Sequence, residues 1–170
     1  MGKKILVSGA GGFIGHHLVT YLKERGYWVR GVDVKFPEYS ESNADEFELL
    51  DLRRWDSCLQ ATRGIEEIYN LAADMGGIGY ITEFLADIDR NNSLINTHML
   101  EAARVNEAQR FFYSSSACIY PGYLQDSPDV TPLKEADAYP ADPEEGYGWE
   151  KLYMEKIAVL PLARKKMKTI

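Results

Sequence analysis

Cysteine is scarce in this 170-residue sequence: there are two, Cys58 and Cys118, far apart in the chain. Two thiols without a paired Cys/His spacing exclude a disulfide framework and a zinc cluster. An excess of positive charge is also missing, since 19 Lys and Arg face 26 Asp and Glu for a net charge of -7. That balance argues against general affinity for nucleic acid or an anionic membrane surface. No apolar run is long enough to cross a bilayer. Met1-Gly2-Lys3-Lys4 leads into a short apolar run without the core of a secretion signal, so a cytoplasmic chain is expected. His16 and His17 have no partner at ligand spacing, so no metal site is expected, and His98 is read as a helix-surface or interface residue. Internal repeats and low-complexity tracts are absent as well.

What is present suits one domain, residues 1–170, with 45% hydrophobic residues for its core. Short apolar runs alternate with longer helical patterns, the mark of parallel α/β architecture. Strands are expected at 4–8, 29–33, 46–50, 65–70 and 110–114. Ile14, Leu18 and Leu22 recur at helical spacing before Gly26, a helix stop. Further helices are expected at 55–62, at 91–105 with Ile95, Met99 and Ala102 on one face, and from about Gly146 to Pro161. Residues 121–143 hold five of the seven prolines and form a long, acidic loop. Trp28 and Trp55 are assigned to packing.

Gly9-Ala10-Gly11-Gly12-Phe13-Ile14-Gly15 lies where the first strand hands over to the first helix. Glycines there allow a tight turn, backbone approach to a pyrophosphate, and close helix–strand packing, while the helix N-terminus supplies donors. The spacing is GxxGxxG, with Gly11 in addition. A glycine turn alone is often only a turn. Here strand, turn, helix, second strand and terminal acid follow in the order of a dinucleotide site. Asp33 closes the second strand and can accept the adenosine ribose hydroxyls, which favours NAD, although Lys35 keeps NADP open. Asp51 and Leu52 are placed to meet the adenine; the plainer reading of Asp51 is a helix cap.

Tyr147 and Lys151 stand one helical turn apart on one face. An ammonium beside a phenol stabilises phenolate, so Tyr147 is expected to titrate below its usual value near about 10 and to exchange a hydroxyl proton. The pattern is common by chance, and its weight comes from following a glycine-rich βαβ unit and the Ser114-Ser115-Ser116 strand end. Ser116 is a hydrogen-bond partner for the reacting hydroxyl.

Together these pieces resemble the extended short-chain dehydrogenase/reductase family. Asn70-Leu71-Ala72-Ala73-Asp74-Met75-Gly76-Gly77 and Ser115-Ser116-Ala117-Cys118-Ile119-Tyr120-Pro121 look like the GDP-mannose 3,5-epimerases within it. Glu101-Ala102-Ala103-Arg104, Arg110-Phe111-Phe112-Tyr113 and Ala141-Asp142-Pro143 agree, and the similarity runs to about Glu155. The resemblance implies a Rossmann-type doubly wound parallel sheet and a nucleotide-sugar epimerase that uses NAD transiently. A ketone formed at sugar C4 acidifies the protons at C3 and C5, which a cysteine and a lysine exchange. Tyr147, Lys151, Ser116 and Cys118 match the catalytic positions. Gly9, Gly11, Gly12, Phe13, Ile14, Gly15, Asp33, Asp51, Leu52, Leu71, Ala72 and Ala73 would hold NAD with Tyr147 and Lys151. Met75, Gly76 and Gly77 would lie beside a GDP-mannose-type substrate with Ser116 and Cys118. A thiol near a basic residue can serve as acid or base near neutral pH; a small buried side chain is the plainer reading of Cys118, and the one adopted for Cys58.

The family continues well past the tyrosine–lysine helix, into a further sheet strand and most nucleotide-sugar contacts. Here the helix runs into 159–168 and a basic end, so the expected sheet has five strands, is incomplete at its C-terminal edge, and lacks a substrate domain. Turnover by this chain alone is then expected to be slow or absent. The helices at 91–105 and 147–156 correspond to the family's dimer face, so a homodimer is expected. Two alternatives stay open: another epimerase, dehydratase or reductase of the family, for which Cys118 discriminates, and an NAD-binding module without catalysis.

Overall fold

The computed structural model describes residues 2–38, 40–125, 132–159 and 167–170. Six parallel strands form one sheet in the order β3-β2-β1-β4-β5-β6. They are β1 (Lys4–Ser8), β2 (Trp28–Asp33), β3 (Glu46–Leu49), β4 (Glu67–Asn70), β5 (Arg110–Tyr113) and β6 (Lys168–Thr169). Helices α1 (Phe13–Glu24), α2 (Trp55–Thr62), α3 (Ile78–Glu83), α4 (Leu85–Val105) and α5 (Tyr147–Val159) connect them. The strand order reverses between β1 and β4, the topological switch point where doubly wound sheets bind ligands beyond their strand C-termini.

Ile5, Leu6 and Val7 of β1, Val29 and Val32 of β2, Ile68 of β4 and Phe111 of β5 are fully buried or nearly so. A sheet covered on both faces needs such continuous apolar runs rather than alternation. On one face Met99, Ala102 and Ala103 of α4 and Met154 of α5 pack on Leu6, Ile68 and Phe111, with Trp28 and Trp55 at the border. On the other, Val19 and Leu22 of α1 close over Ile5, Val7 and Val29.

Three expectations are corrected. The sheet has six strands, because Lys168 and Thr169 pair with Arg110 and Phe111 and Met167 is buried in the core. The edge strand is only two residues long, and the sheet stays open. In α1 the buried face is Gly15, His16, Val19 and Leu22, whereas Ile14 is 69% exposed at the first turn. Helix α4 begins at Leu85 rather than at 91, and α3 precedes it where no element was expected. Within 121–143, single turns of 3-10 helix occur at Gly122–Leu124 and Glu135–Ala138. The acidic stretch at 126–131 and the basic stretch at 160–166, with Pro161, lie outside the described residues.

Candidate active site

The glycine turn is built by packing as much as by conformation. Gly9 has φ +72°, and a β-carbon there would come within 2.9 Å of Ala72 N and Leu71 O. At Gly15 a β-carbon would collide with the Gly9 carbonyl, so glycine lets α1 close on β1. Gly12 differs: among the described residues a β-carbon would meet only Gly9 O, at 3.3 Å. Gly12 also caps α1 without a side-chain hydrogen bond to its first turn. Packing therefore requires Gly9 and Gly15, while Gly12 keeps open a space at a helix N-terminus that suits a phosphate. Phe13 and Ile14 are exposed beside it.

Asp33 ties this turn to the end of β2, its Oδ2 accepting from Gly11 N at 2.9 Å and its Oδ1 from Val34 N at 2.7 Å. Asp51 accepts from Arg53 N at 3.0 Å and from its guanidinium at 2.9 and 2.7 Å. The Arg53 guanidinium holds its carboxyl below the usual range. Asp51 is not the helix cap, since Arg54 occupies that position. A cavity of about 250 Å³ opens between the ends of β2, β3 and β4, lined by Asp33, Leu50, Asp51, Leu52, Ala72 and Ala73.

At the other end of the crevice, α5 begins with Tyr147 and buries Lys151. The Lys151 ammonium donates to Ser114 O at 2.9 Å and lies 5.4 Å from the centre of the Tyr147 ring. Ser116 Oγ accepts from Cys118 N at 3.2 Å, fixing the turn after β5. A β-carbon on Gly148 would collide with Cys118 O, so glycine after Tyr147 brings α5 against this turn. Sequence reading passed over that glycine. Cys118 shares a cavity of about 430 Å³ with Asp142 and Glu144, and Ser116 borders one of about 730 Å³ beyond β5 and β6. Met75, Gly76 and Gly77 are exposed after β4, with the Tyr80 ring folded over Gly76.

The electrostatics correct two expectations. Tyr147 is raised rather than lowered: burial dominates, Cys118 and Glu150 add to it, and hydrogen bonding from Ser116 opposes it. Burial lowers the proton affinity of Lys151 as well, and one of its three N–H groups goes to Ser114 O. Cys118 is raised by burial and then by a hydrogen bond to Glu144, which outweigh the basic Lys151 nearby. Cys58 is pushed up to about 12 by burial, as its structural assignment requires.

Polar side chains on α4 were missed. Asn92 accepts from Asp74 N at 2.7 Å and donates to Asp74 O at 3.2 Å, while Asn91 donates to the Asp74 carboxylate at 2.7 Å. Asn96 bridges Asn70 and Glu150 at 2.8 and 2.7 Å. Asparagine is a poor helix former, so three in six positions were a usable signal of side chains engaged elsewhere.

Known proteins agree with this geometry. The sequence profile of the NAD dependent epimerase/dehydratase family matches residues 5–169. The chain belongs to that family. It is 47% identical over 156 residues to GDP-mannose 3,5-epimerase 1 of Oryza sativa subsp. japonica, covering 91% of this chain and 41% of the relative. The chain thus spans about two fifths of the length of the curated relatives it matches. A short-chain dehydrogenase/reductase superfamily structure from Agrobacterium tumefaciens with bound NAD superposes with TM-score 0.79 at 26% identity, over 98% of this chain and 47% of that one. UDP-glucose 4-epimerase of Thermus thermophilus, in complex with NAD, shares the fold with TM-score 0.82 at 23% identity, over 98% and 53%.

Proposed function

We propose that this chain carries the cofactor site and reaction centre of an NAD-dependent nucleotide-sugar epimerase acting on a GDP-mannose-type substrate. The supporting observation is the gathering of Tyr147, Ser116 and Cys118 around the start of α5, with Lys151 beneath them, on the same sheet edge as the glycine turn. Gly12 leaves room for the pyrophosphate at the N-terminus of α1, while Gly9, Gly11 and Gly15 let the turn close on its neighbours. Asp33 takes the ribose, and Asp51, Leu52, Leu71, Ala72 and Ala73 enclose the adenine. When bound, NAD supplies a reversible hydride acceptor for sugar C4. The Tyr147 phenol exchanges the proton of the C4 hydroxyl, which Ser116 orients by hydrogen bonding. Lys151 holds the ribose side of the site. Cys118 exchanges a proton with a carbon beside C4, and its raised affinity for that proton suits it to the acid half of the exchange. Met75, Gly76 and Gly77 border the sugar.

The same raised values at Tyr147 and Cys118 favour a second reading, an NAD-binding module without catalysis. Thermal-shift measurements separate the two. NAD should stabilise the chain more than NADP does, and GDP-mannose should add a further shift once NAD is present. A larger shift with NADP would overturn the role of Asp33, and no added shift with GDP-mannose would favour the module. A cytoplasmic location belongs to this proposal. The chain pairs as a homodimer through α4 and α5, whose Leu94, Trp149 and Tyr153 are exposed.

A further inference from the structure

The two halves of the candidate site are joined by one continuous line of buried side-chain hydrogen bonds. The backbone N–H groups of Leu71 and Ala72, at the cofactor end of β4, donate to Ser8 Oγ at 3.1 and 3.3 Å. The Ser8 hydroxyl donates to Asn70 Oδ1 at 2.7 Å, Asn70 Nδ2 to Asn96 Oδ1 at 2.8 Å, and Asn96 Nδ2 to Glu150 Oε1 at 2.7 Å. Ser8, Asn70, Asn96 and Glu150 are each at least nine-tenths buried. Every donor points toward Glu150. Bonds aligned in one direction polarise one another, and a carboxylate is the strongest acceptor on which such a line can end. Glu150 lies on α5 between Tyr147 and Lys151, so it ties the helix bearing both to the strand ends that face the cofactor.

We infer that Glu150 is a positioning residue, which through Asn96, Asn70 and Ser8 sets Tyr147 and Lys151 at a fixed distance from the Leu71–Ala72 wall of the cofactor site. The inference rests on the cofactor reading proposed above. It goes beyond it in assigning a role to a residue that touches neither cofactor nor substrate. A buried carboxylate is costly to maintain without such a task, since an apolar side chain would pack α5 on the sheet with less desolvation.

The test compares the full chain with Glu150→Gln, Glu150→Leu and Asn96→Leu, each held well below its melting temperature. NAD affinity is read by fluorescence titration. The Tyr147 environment is read by carbon-13 NMR of tyrosine Cζ, its line identified by loss in Tyr147→Phe. Misplacement of about an ångström weakens positioned interactions strongly, so both leucine variants should lose about tenfold or more in NAD affinity and displace the Tyr147 line. Glu150→Gln, which keeps an oxygen for Asn96, should stay within about threefold of the parent. Leucine variants that melt earlier yet bind NAD as the parent does, with Tyr147 unmoved, would show Glu150 to be structural only and overturn the inference. If the leucine variants do not fold, Asn96→Ser, too short to span the gap, carries the same expectation. A parent chain that binds no NAD refutes the cofactor reading instead, and the Tyr147 line then decides the positioning claim alone.

Discussion

Single residues of one type carry different duties here, and substitution separates them. Gly15→Ala drives a methyl group into the Gly9 carbonyl and should destabilise the chain by about 1–3 kcal/mol in denaturant unfolding, the usual cost of overpacking. Gly12→Ala meets only one atom at 3.3 Å and should stay within about 1 kcal/mol of the parent while losing most NAD affinity, because the methyl occupies phosphate space. Equal affinity in Gly12→Ala would remove the phosphate from that space. The two thiols divide in the same way. Alkylation of the half-buried Cys118 should be slow at neutral pH and quicken in alkali, since burial and Glu144 hold its proton. Cys58, fully buried and pushed up to about 12, should react only on unfolding. Mass spectrometry after timed labelling reads both.

Among the elements, α5 carries a buried acid, Glu150, that makes its contribution to stability depend on pH. Burial raises Glu150 above its ordinary value of 4.5, with Asp89 adding to the effect and Asn96 and Lys151 opposing it. The folded chain therefore binds more protons than the unfolded one between 4.5 and the raised value. Stability from this group is complete below 4.5 and is lost as pH rises through the folded value. Glu150→Gln does not titrate, so the difference in melting temperature should move in favour of the variant between about pH 4 and about pH 8. A constant difference would mean that Glu150 titrates alike in both states. The elements themselves were largely legible: the apolar runs of β1, β2, β4 and β5 and the face of Ile95, Met99 and Ala102 lie where periodicity placed them. Periodicity misjudged Ile14 because the first turn of α1 faces the crevice, a fact about its surroundings rather than its spacing. It missed β6 because two residues make no pattern.

For the whole molecule, the six-stranded sheet depends on a core that crosses from β1 to β5. Phe111 of β5 is the largest fully buried side chain among the described residues, and Phe111→Ala should cost about 3–5 kcal/mol in denaturant unfolding. Exposed apolar side chains on α4 and α5 lead to the expectation that light scattering at micromolar concentration returns twice the mass of one chain. A monomer there would remove the proposed pairing while leaving the cofactor site intact.

By itself the sequence determined the glycine turn, the acid at the end of β2, the order of the main strands and helices, and the tyrosine, serine and cysteine of the proposed reaction centre. These are local, because a turn, a capped helix or an apolar run is specified by neighbours in the chain. Only the tertiary structure decided how those groups are tuned and joined. Burial sets Tyr147, Cys118 and Lys151 against their solution behaviour, and burial is a property of the packed molecule. The line from Ser8 through Asn70 and Asn96 to Glu150 spans β1, β4, α4 and α5, which meet only when the sheet has closed its layers around them.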